Sequence, residues 1–329
     1  MVEESNTWAL VLAAGEGSRL RSLTTAASGT IVPKQFCSLY EGPSLLHEAL
    51  CRAHTVTKES RTCVVVAEQH RRWWEGPLWS LAPENVIVQA ENRGTGPGIL
   101  LPLLHILHRD PEAQLVLLPS DHCVRYEAVL TTALEGALGR LACGAHEIVL
   151  LGVQPEEPDP DLGYVVPGSS DGRGAFKVDC FVEKPSRAVA NGLIRSGGLW
   201  NTFIVVSTGR AVLGLFRECF PAILSAMSEA FEADGRSGTE GAAMAELYEN
   251  LPVIDFSRDI LAEQLSQLRV LPVPPCGWSD LGTPKRVSDA LRRAPRPAEA
   301  PWMRSSMGYL SLAEQHELRR AAHGACAQI

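Results

Sequence analysis

Short, entirely apolar runs alternate with longer amphipathic runs throughout the first half of the sequence. The runs 62–67 (TCVVVA), 115–118 and 148–153 lack the polar alternation of half-exposed strands, which is typical of strands that are buried on both faces. Between such runs, apolar residues recur at helical spacing, as in 44–56 and 97–108. Because parallel strands need crossover connections, this order predicts an α/β fold with a doubly wound, mostly parallel central sheet.

The second half has a different rhythm, with two short strands around a turn-rich stretch and then a helix-rich region. The patterns predict further strands at 8–12, 86–89, 163–166, 176–183, 200–206 and 268–273. They predict helices at 69–81 in part, 126–142, within 209–250, at 257–267 with Ser257 as a possible cap, and at 284–293. We therefore expect one domain, 1–293, with halves of about 1–150 and 151–293, the second containing a small β-rich part. Residues 294–329 are expected to form a linker and a helical tail.

Charge and composition exclude several classes of protein. The chain has 38 acidic and 30 basic residues, a formal charge of −8, and nucleic-acid coats carry the opposite sign. No apolar stretch reaches the ~18–20 residues that span a bilayer. The nine cysteines are scattered without a C-x-x-C pair, which argues against zinc knuckles and disulfide frameworks. We expect a reduced cytoplasmic protein that binds neither nucleic acid nor membrane, and we leave open whether it is a homo-oligomer.

A glycine-rich loop, 12–23 (LAAGEGSRLRSL), follows the first predicted strand. Glycines at such a turn let backbone N–H groups approach phosphate oxygens, and the arginines add positive charge. The dinucleotide fingerprint G-x-G-x-x-G fails because Leu20 stands where its third glycine belongs. No Walker A sequence is present either, so the residues by themselves leave two alternatives: a phosphate loop of another kind, or an ordinary turn with two solvated arginines.

The stretch Pro33-Lys34-Gln35-Phe36 comes shortly after this loop. Residues 9–36 together resemble the signature of the sugar-nucleotide pyrophosphorylases, most closely that of the mannose-1-phosphate guanylyltransferases. The resemblance implies a nucleotidyltransferase fold of the Rossmann-like, glycosyltransferase-A-like kind. It also implies that Arg19 and Lys34 neutralise the nucleotide phosphates. The loop residues that would surround the nucleotide are Ala13, Ala14, Gly15, Gly17 and Ser18.

A second loop, 90–98 (AENRGTGPG), lies between a predicted strand and a predicted helix. The carboxyl edge of a sheet is a common ligand site, and the small residues here allow close approach. The carboxylate of Glu91 could accept hydrogen bonds from a guanine. The stretch resembles the R-N-T-A-P segment of the guanylyltransferases, which implies base contacts at Glu91, Asn92, Arg93, Gly94 and Thr95.

Two aspartates are candidate metal ligands. Asp121 ends the predicted strand of LLPSDH, 117–122, and Asp280 lies in GWSDLGT, 277–283. Carboxylates suit Mg²⁺, which uses one or two of them together with waters and phosphates. The two stretches resemble the L-P-A-D-H and W-S-D-[LV]-G motifs of the same family, and the resemblance implies that both aspartates bind Mg²⁺.

Three stretches of the second half resemble sugar-phosphate motifs of the family. Asp161-Leu162-Gly163-Tyr164 resembles the G-Y-G segment without its second glycine, and FVEKP at 181–185 matches F-V-E-K-P. WNTF at 200–203 resembles W-N-[ST]-G-[IM]-F but lacks the glycine, which suggests a shortened stretch. The resemblance implies sugar-phosphate contacts at Gly163, Tyr164, Glu183, Lys184 and Asn201, with Lys184 on the phosphate.

The implied reaction joins a sugar-1-phosphate and an NTP into an NDP-sugar and pyrophosphate. The implied catalytic residues are Arg19, Lys34, Asp121, Lys184 and Asp280, and GTP and mannose-1-phosphate are the expected substrates. One alternative is a uridylyl- or thymidylyltransferase acting on glucose-1-phosphate. Another is a catalytically silent protein that binds nucleotide-sugar and regulates a partner.

Overall fold

The computed structural model describes residues 6–25, 29–39, 42–142, 147–237 and 241–292. Its strands are β1 (Thr7–Ala13), β2 (Thr62–Ala67), β3 (Val86–Gln89), β4 (Gln114–Pro119), β5 (Ile148–Val153), β6 (Tyr164–Ser170), β7 (Phe176–Val182), β8 (Leu199–Thr208) and β9 (Leu268–Val273). Its helices are α1 (Arg21–Thr24), α2 (Leu45–His54), α3 (Arg71–Trp74), α4 (Thr95–Arg109), α5 (Glu127–Ala142), α6 (Arg187–Arg195), α7 (Gly209–Cys219), α8 (Pro221–Ser237), α9 (Ala242–Asn250) and α10 (Pro284–Arg292). The expected alternation of strands and helices is therefore present in the first half.

All nine strands form one sheet in the order β3-β2-β1-β4-β8-β5-β9-β7-β6. The pairs β1–β2, β2–β3, β1–β4 and β5–β9 are parallel. Strand β8 lies between β4 and β5 and runs antiparallel to both, and the pairs of β6 and β7 are also antiparallel. The expectation of a mostly parallel sheet is therefore wrong, and the sheet is mixed. Apolar runs reveal that both faces of a strand are buried, but they carry no information about its direction.

Helices cover both faces of this sheet. Along β1, Ala9 and Val11 pack with α2 and α5 on one face, while Trp8 and Leu10 pack with α4, α7 and α9 on the other. This two-sided burial explains why the strands show no polar alternation. Strands from both halves of the chain pair within the sheet, so the two halves share one framework. Among the described residues, no helix has the length and apolar character needed to cross a membrane.

The segment predicted as a helix at 257–267 is irregular. It contains a π-helical turn at Phe256–Ile260 and 3-10 turns at Leu261–Glu263 and Leu265–Gln267. The cap is Asp255, whose side chain accepts a hydrogen bond from the Arg258 N–H, and not Ser257, which is buried. The linker and terminal helix expected within 294–329 lie outside the described residues.

Candidate active site

A cleft of about 270 Å³ opens where β1 and β4 end, beside the start of β8. Nine of the residues singled out from the sequence line it: Gly15, Arg19, Thr95, Asp121, Gly163, Glu183, Lys184, Asn201 and Asp280. Its other lining residues include Gln35, His122, Phe203, Asp255 and Trp278. Segments from widely separated parts of the chain therefore meet in one place.

The glycine-rich loop packs against, and is hydrogen-bonded to, the turn that carries Lys34. Gly17 has a left-handed backbone, with φ of +60°, and a Cβ there would lie 2.9 Å from the Lys34 Cβ. The buried Gln35 side chain donates hydrogen bonds to the Ala13 carbonyl at 2.8 Å and to the Gly15 carbonyl at 3.0 Å. Sequence reasoning gave Gln35 no role, although it lies inside the Pro33–Phe36 motif. Its two hydrogen bonds hold the loop in place.

Lys34 connects the two candidate metal ligands. Its ammonium lies 2.8 Å from Asp121 Oδ2 and also donates to the backbone carbonyl of Asp280. Burial by itself raises the pKa of Asp121, but the nearby Lys34 charge, with a smaller contribution from His122, brings that pKa below its ordinary value. Asp121 is therefore an anion at neutral pH. Burial lowers the pKa of His122 to about 4, so this imidazole is neutral.

Asp280 is held by two arginines. Arg286 Nε lies 3.0 Å from Asp280 Oδ1, and Arg19 Nη2 lies 3.9 Å from Oδ2. Arg286 also contacts Asp159 Oδ2 at 2.5 Å, so it ties Asp280 to the segment that leads to Gly163. Sequence reasoning missed Arg286, because an arginine on a polar helix gives no signal of what it faces.

The predicted base loop is largely occupied by structural contacts. Arg93 pairs with Glu91 at 2.6 Å and donates to the Glu249 carbonyl at 2.8 Å, while the Asn92 side chain accepts from the Gly94 N–H at 3.0 Å. Of the five loop residues, only Thr95 lines the cleft. Base contacts by the other four stay predictions.

Small residues allow the base loop to lie against the segment before the π-helical turn. Gly94 has φ of +85°, and a Cβ on it would lie 2.4 Å from the Ile254 carbonyl oxygen. The Gly96 N–H donates to the same oxygen at 2.8 Å. Thr95 Oγ1 accepts from the Phe256 N–H at 2.8 Å. The glycines in this loop therefore serve close backbone packing.

The predicted sugar residues form a compact group, with one exception. A Cβ on Gly163 would lie 2.4 Å from Glu183 Oε2, so glycine is needed for this carboxylate to reach the cleft. Asn201 is buried beside it, and Lys184 Nζ lies 3.3 Å from Glu183 Oε1. Tyr164 is the exception, because its ring is fully buried and its hydroxyl hydrogen-bonds the Asp159 backbone. Its side chain does not reach the cleft, which corrects the expected sugar contact.

Backbone strain is concentrated at this site. Among the described residues, three that are not glycine have positive φ: Lys184 at 48°, Phe203 at 60° and Leu281 at 47°. Two of them line the cleft and the third follows Asp280. Each such conformation costs about 1–3 kcal/mol and persists only where the surroundings enforce it, most often at functional sites.

The two aspartates fit a divalent cation. Both carboxylates line the cleft, and oxygen ligands of this kind suit Mg²⁺. Within the described ranges there is no group of three or more His, Cys, Asp or Glu side chains that could enclose a metal. Asp121 and Asp280 are therefore the candidate ligands in this cleft, and binding of Mg²⁺ by the pair stays a prediction.

With this geometry in view, comparison with known proteins identifies the class. The family model of the nucleotidyl transferases matches residues 8–295. The chain therefore belongs to the nucleotidyl transferase family. It is 30% identical over 284 residues to the xanthan biosynthesis protein XanB of Xanthomonas campestris pv. campestris strain B100, covering 85% of this chain and 58% of that protein. It is 29% identical to the mannose-1-phosphate guanylyltransferase of Escherichia coli K12, covering 85% and 59%. The match thus spans little more than half the length of these relatives.

Solved structures give the same fold. A Thermus thermophilus protein, described as a mannose-1-phosphate geranyltransferase, superposes with a TM-score of 0.72 at 28% identity, covering 88% of this chain and 80% of that one. A UDP-glucose pyrophosphorylase structure matches with a TM-score of 0.53 at 15% identity, covering 87% and 97%. The second likeness concerns the fold alone.

Proposed function

We propose that the chain joins a sugar-1-phosphate to an NTP, giving an NDP-sugar and pyrophosphate. The observation that carries this proposal is the meeting of Asp121 and Asp280 in one cleft with the cations Arg19 and Lys184. Two polyanionic substrates repel each other, and such a cleft can hold both. The Escherichia relative is named a mannose-1-phosphate guanylyltransferase, which supports this reaction and favours mannose-1-phosphate and GTP as its substrates.

The chemistry is in-line attack by the sugar phosphate oxygen on the α-phosphorus of the nucleotide. A phosphate monoester has a second pKa of about 6, so at neutral pH its oxygen is already anionic and needs no general base. Catalysis then consists mainly of positioning and charge neutralisation. Lys184 holds the sugar phosphate, Lys34 and the glycine-rich loop hold the nucleotide phosphates, and Arg19 holds the departing pyrophosphate.

Two roles remain to be assigned in this reaction: binding of the metal and binding of the sugar hydroxyls. Asp121 and Asp280 would hold Mg²⁺, which would supply concentrated positive charge beside the nucleotide phosphates. Glu183 and Asn201 accept from and donate to sugar hydroxyls. We also propose a cytoplasmic location, where thiols stay reduced, since the nine cysteines of the sequence are scattered without a C-x-x-C pair.

A substrate panel tests the proposal. GTP, UTP, dTTP, CTP and ATP are each combined with mannose-1-phosphate and glucose-1-phosphate in the presence of Mg²⁺, and pyrophosphate release is measured. We expect the highest kcat/KM with GTP and mannose-1-phosphate. Highest activity with UTP or dTTP and glucose-1-phosphate would establish the uridylyl- or thymidylyltransferase alternative. Absence of pyrophosphate release with every pair would contradict the proposed reaction.

A further inference from the structure

Phe203 adopts an unusual backbone conformation in the middle of strand β8. Its φ is +60°, and the strand bulges here, because the register against β5 shifts between Leu150 and Gly152. The Phe203 N–H donates to Asn201 Oδ1 at 3.2 Å. Thr202 Oγ1 donates to the Leu151 carbonyl at 2.7 Å and accepts from the Ile204 N–H at 3.2 Å. Side-chain hydrogen bonds on both sides of Phe203 therefore enforce the left-handed conformation.

A glycine would adopt this conformation without strain. The resembled motif W-N-[ST]-G-[IM]-F has glycine at this place, and Trp200, Asn201, Thr202 and Ile204 match its neighbours without a gap. The stretch is therefore not shortened, which corrects the expectation from the sequence. An aromatic side chain stands where the motif has none. A strained residue other than glycine beside a cleft points to a function for its side chain.

Aromatic contacts hold the Phe203 ring at the cleft. Phe203 lines the cleft and is half-buried, and its ring packs edge to face on Phe256 with centroids 6.3 Å apart. Phe256 in turn stacks on Phe216 with centroids 5.8 Å apart. The ring therefore rests on a fixed aromatic support and not on mobile side chains.

The polar groups beside this ring are of a kind that sugars need. Glu183 and Asn201 line the same cleft. Because Asn201 Oδ1 already accepts from the Phe203 N–H, the amide NH₂ of Asn201 is the group directed to a ligand. Sites for small ligands combine aromatic surface with a few placed polar groups. A pyranose matches this combination, since it presents apolar C–H faces and a rim of hydroxyls.

We propose that Phe203 is a specificity-determining residue whose ring forms the apolar wall of the sugar side of the cleft. The C–H face of the pyranose of a sugar-1-phosphate packs on this ring, while Glu183 and Asn201 take its hydroxyls. The ring thereby fixes the plane of the sugar and selects among epimers by where their hydroxyls fall. This inference rests on the proposed function, because it assumes that the cleft binds a sugar-1-phosphate.

The test compares Phe203→Gly with Phe203→Leu. Glycine suits the positive φ, and relief of that strain offsets part of the packing lost with the ring, so Phe203→Gly is expected to fold, which its thermal unfolding verifies. Loss of the ring should raise the KM for the preferred sugar-1-phosphate about tenfold. This is the lower limit of the change in specificity that loss of one apolar contact usually causes. Preference between mannose- and glucose-1-phosphate should fall, and the KM for the NTP should stay within about twofold. Phe203→Leu, which keeps apolar volume, should lie between wild type and Phe203→Gly.

Phe231→Leu serves as the matched control, because Phe231 packs on His105 and His108 and does not line the cleft. Binding of mannose- and glucose-1-phosphate is also measured by calorimetry, independently of turnover. Unchanged binding and epimer preference in Phe203→Gly would overturn the inference while leaving the proposed function intact. A wild type that binds these compounds in a Phe203-dependent way without releasing pyrophosphate would count against the proposed reaction alone. A wild type that binds neither would overturn both.

Discussion

Cys123 and Ser279 exchange two backbone hydrogen bonds of 2.9 Å, forming an isolated antiparallel bridge. Asp121 lies two residues before one partner, and Asp280 follows the other. The bridge therefore aligns the two candidate metal ligands through the backbone, without requiring any side chain to reach across. This explains how two motifs far apart in the sequence serve one cleft.

Space around Asp280 depends on a glycine. A Cβ on Gly282 would lie 2.4 Å from Asp280 Oδ2 and 2.6 Å from Arg286 Nη2. Gly282→Ala should therefore displace both groups and lower kcat about tenfold or more. The control is Gly136→Ala on helix α5, where a Cβ meets nothing within 4 Å; it should stabilise the protein by up to about 1 kcal/mol and leave kcat unchanged. Steady-state pyrophosphate release and thermal unfolding measure both effects, and equal kcat in the two variants would refute the argument.

Arg286 positions Asp280 through the 3.0 Å contact. Arg286→Gln should lower kcat and cost about 1–3 kcal/mol of stability, because it removes the ion-pair partner of Asp159 and one of the two arginines that hold Asp280. Arg286→Lys should restore part of the stability, since it keeps the charge but not the planar fork. The neighbouring Lys285→Gln removes only an exposed pair with Glu157 and should change little. If Arg286→Gln and Lys285→Gln behave alike in kinetics and in urea denaturation, Arg286 has no positioning role.

Lys184 is expected to bind the sugar phosphate. Lys184→Ala removes a charge-assisted contact worth ~1.5–3 kcal/mol, so the KM for the sugar-1-phosphate should rise roughly 10- to 100-fold. The KM for the NTP should change far less. Lys177→Ala, which removes an exposed lysine from strand β7, is the control for general loss of positive charge. Equal shifts in both KM values, or none, would remove Lys184 from the sugar side of the site.

Glu183 should make the stability of the protein depend on pH. Burial raises the pKa of this carboxyl above its ordinary value of 4.5, and Lys184 only partly offsets that effect. A raised folded-state pKa means that the ionised carboxylate destabilises the fold above that pKa, and the penalty disappears as the pH falls below the unfolded value. Glu183→Gln should therefore have a higher Tm than wild type at pH 7.5.

That difference in Tm should shrink as the pH approaches about 4.5, where the carboxyl is protonated in wild type as well. Differential scanning calorimetry between pH 4.5 and 7.5 measures it. Glu135→Gln on helix α5 removes an exposed carboxylate and should show no such trend. A Tm gain in Glu183→Gln that stays constant or grows with falling pH would contradict the assignment.

Local pattern predicted the strand positions of the first half because burial on both faces leaves a direct signature in the sequence. Strand direction was not predictable, since the place of β8 between β4 and β5 is set by pairings between distant segments. The irregular segment at Phe256–Ile260 was not predictable for the same reason, because contacts with distant segments set its conformation. Its apolar spacing suits a helix, whereas contacts with Thr95 and the Asp255 cap determine its actual path.

The sequence motifs contain most of the residues that line the cleft. They do not reveal which hydrogen-bond or ion-pair partner each side chain has. Asp121 lies two residues after strand β4, and the ends of strands line the cleft of an α/β sheet, so its position followed from the sequence. Tyr164 and Arg93 have side chains suited to ligands, yet the Asp159 backbone and the Glu249 carbonyl occupy them. Which partner lies opposite a polar side chain depends on tertiary packing, and a single sequence does not contain that information.

Asp121 and Asp280 are expected to act together in one cleft. The most direct test measures pyrophosphate release at saturating Mg²⁺ for Asp121→Asn, Asp280→Asn and the double variant, with Glu135→Gln as control and circular dichroism to verify folding. Each single variant should lose on the order of 100-fold or more in kcat. The double variant should be little slower than the slower single one, because the two residues work as a unit. Wild-type turnover in either folded single variant would contradict the account.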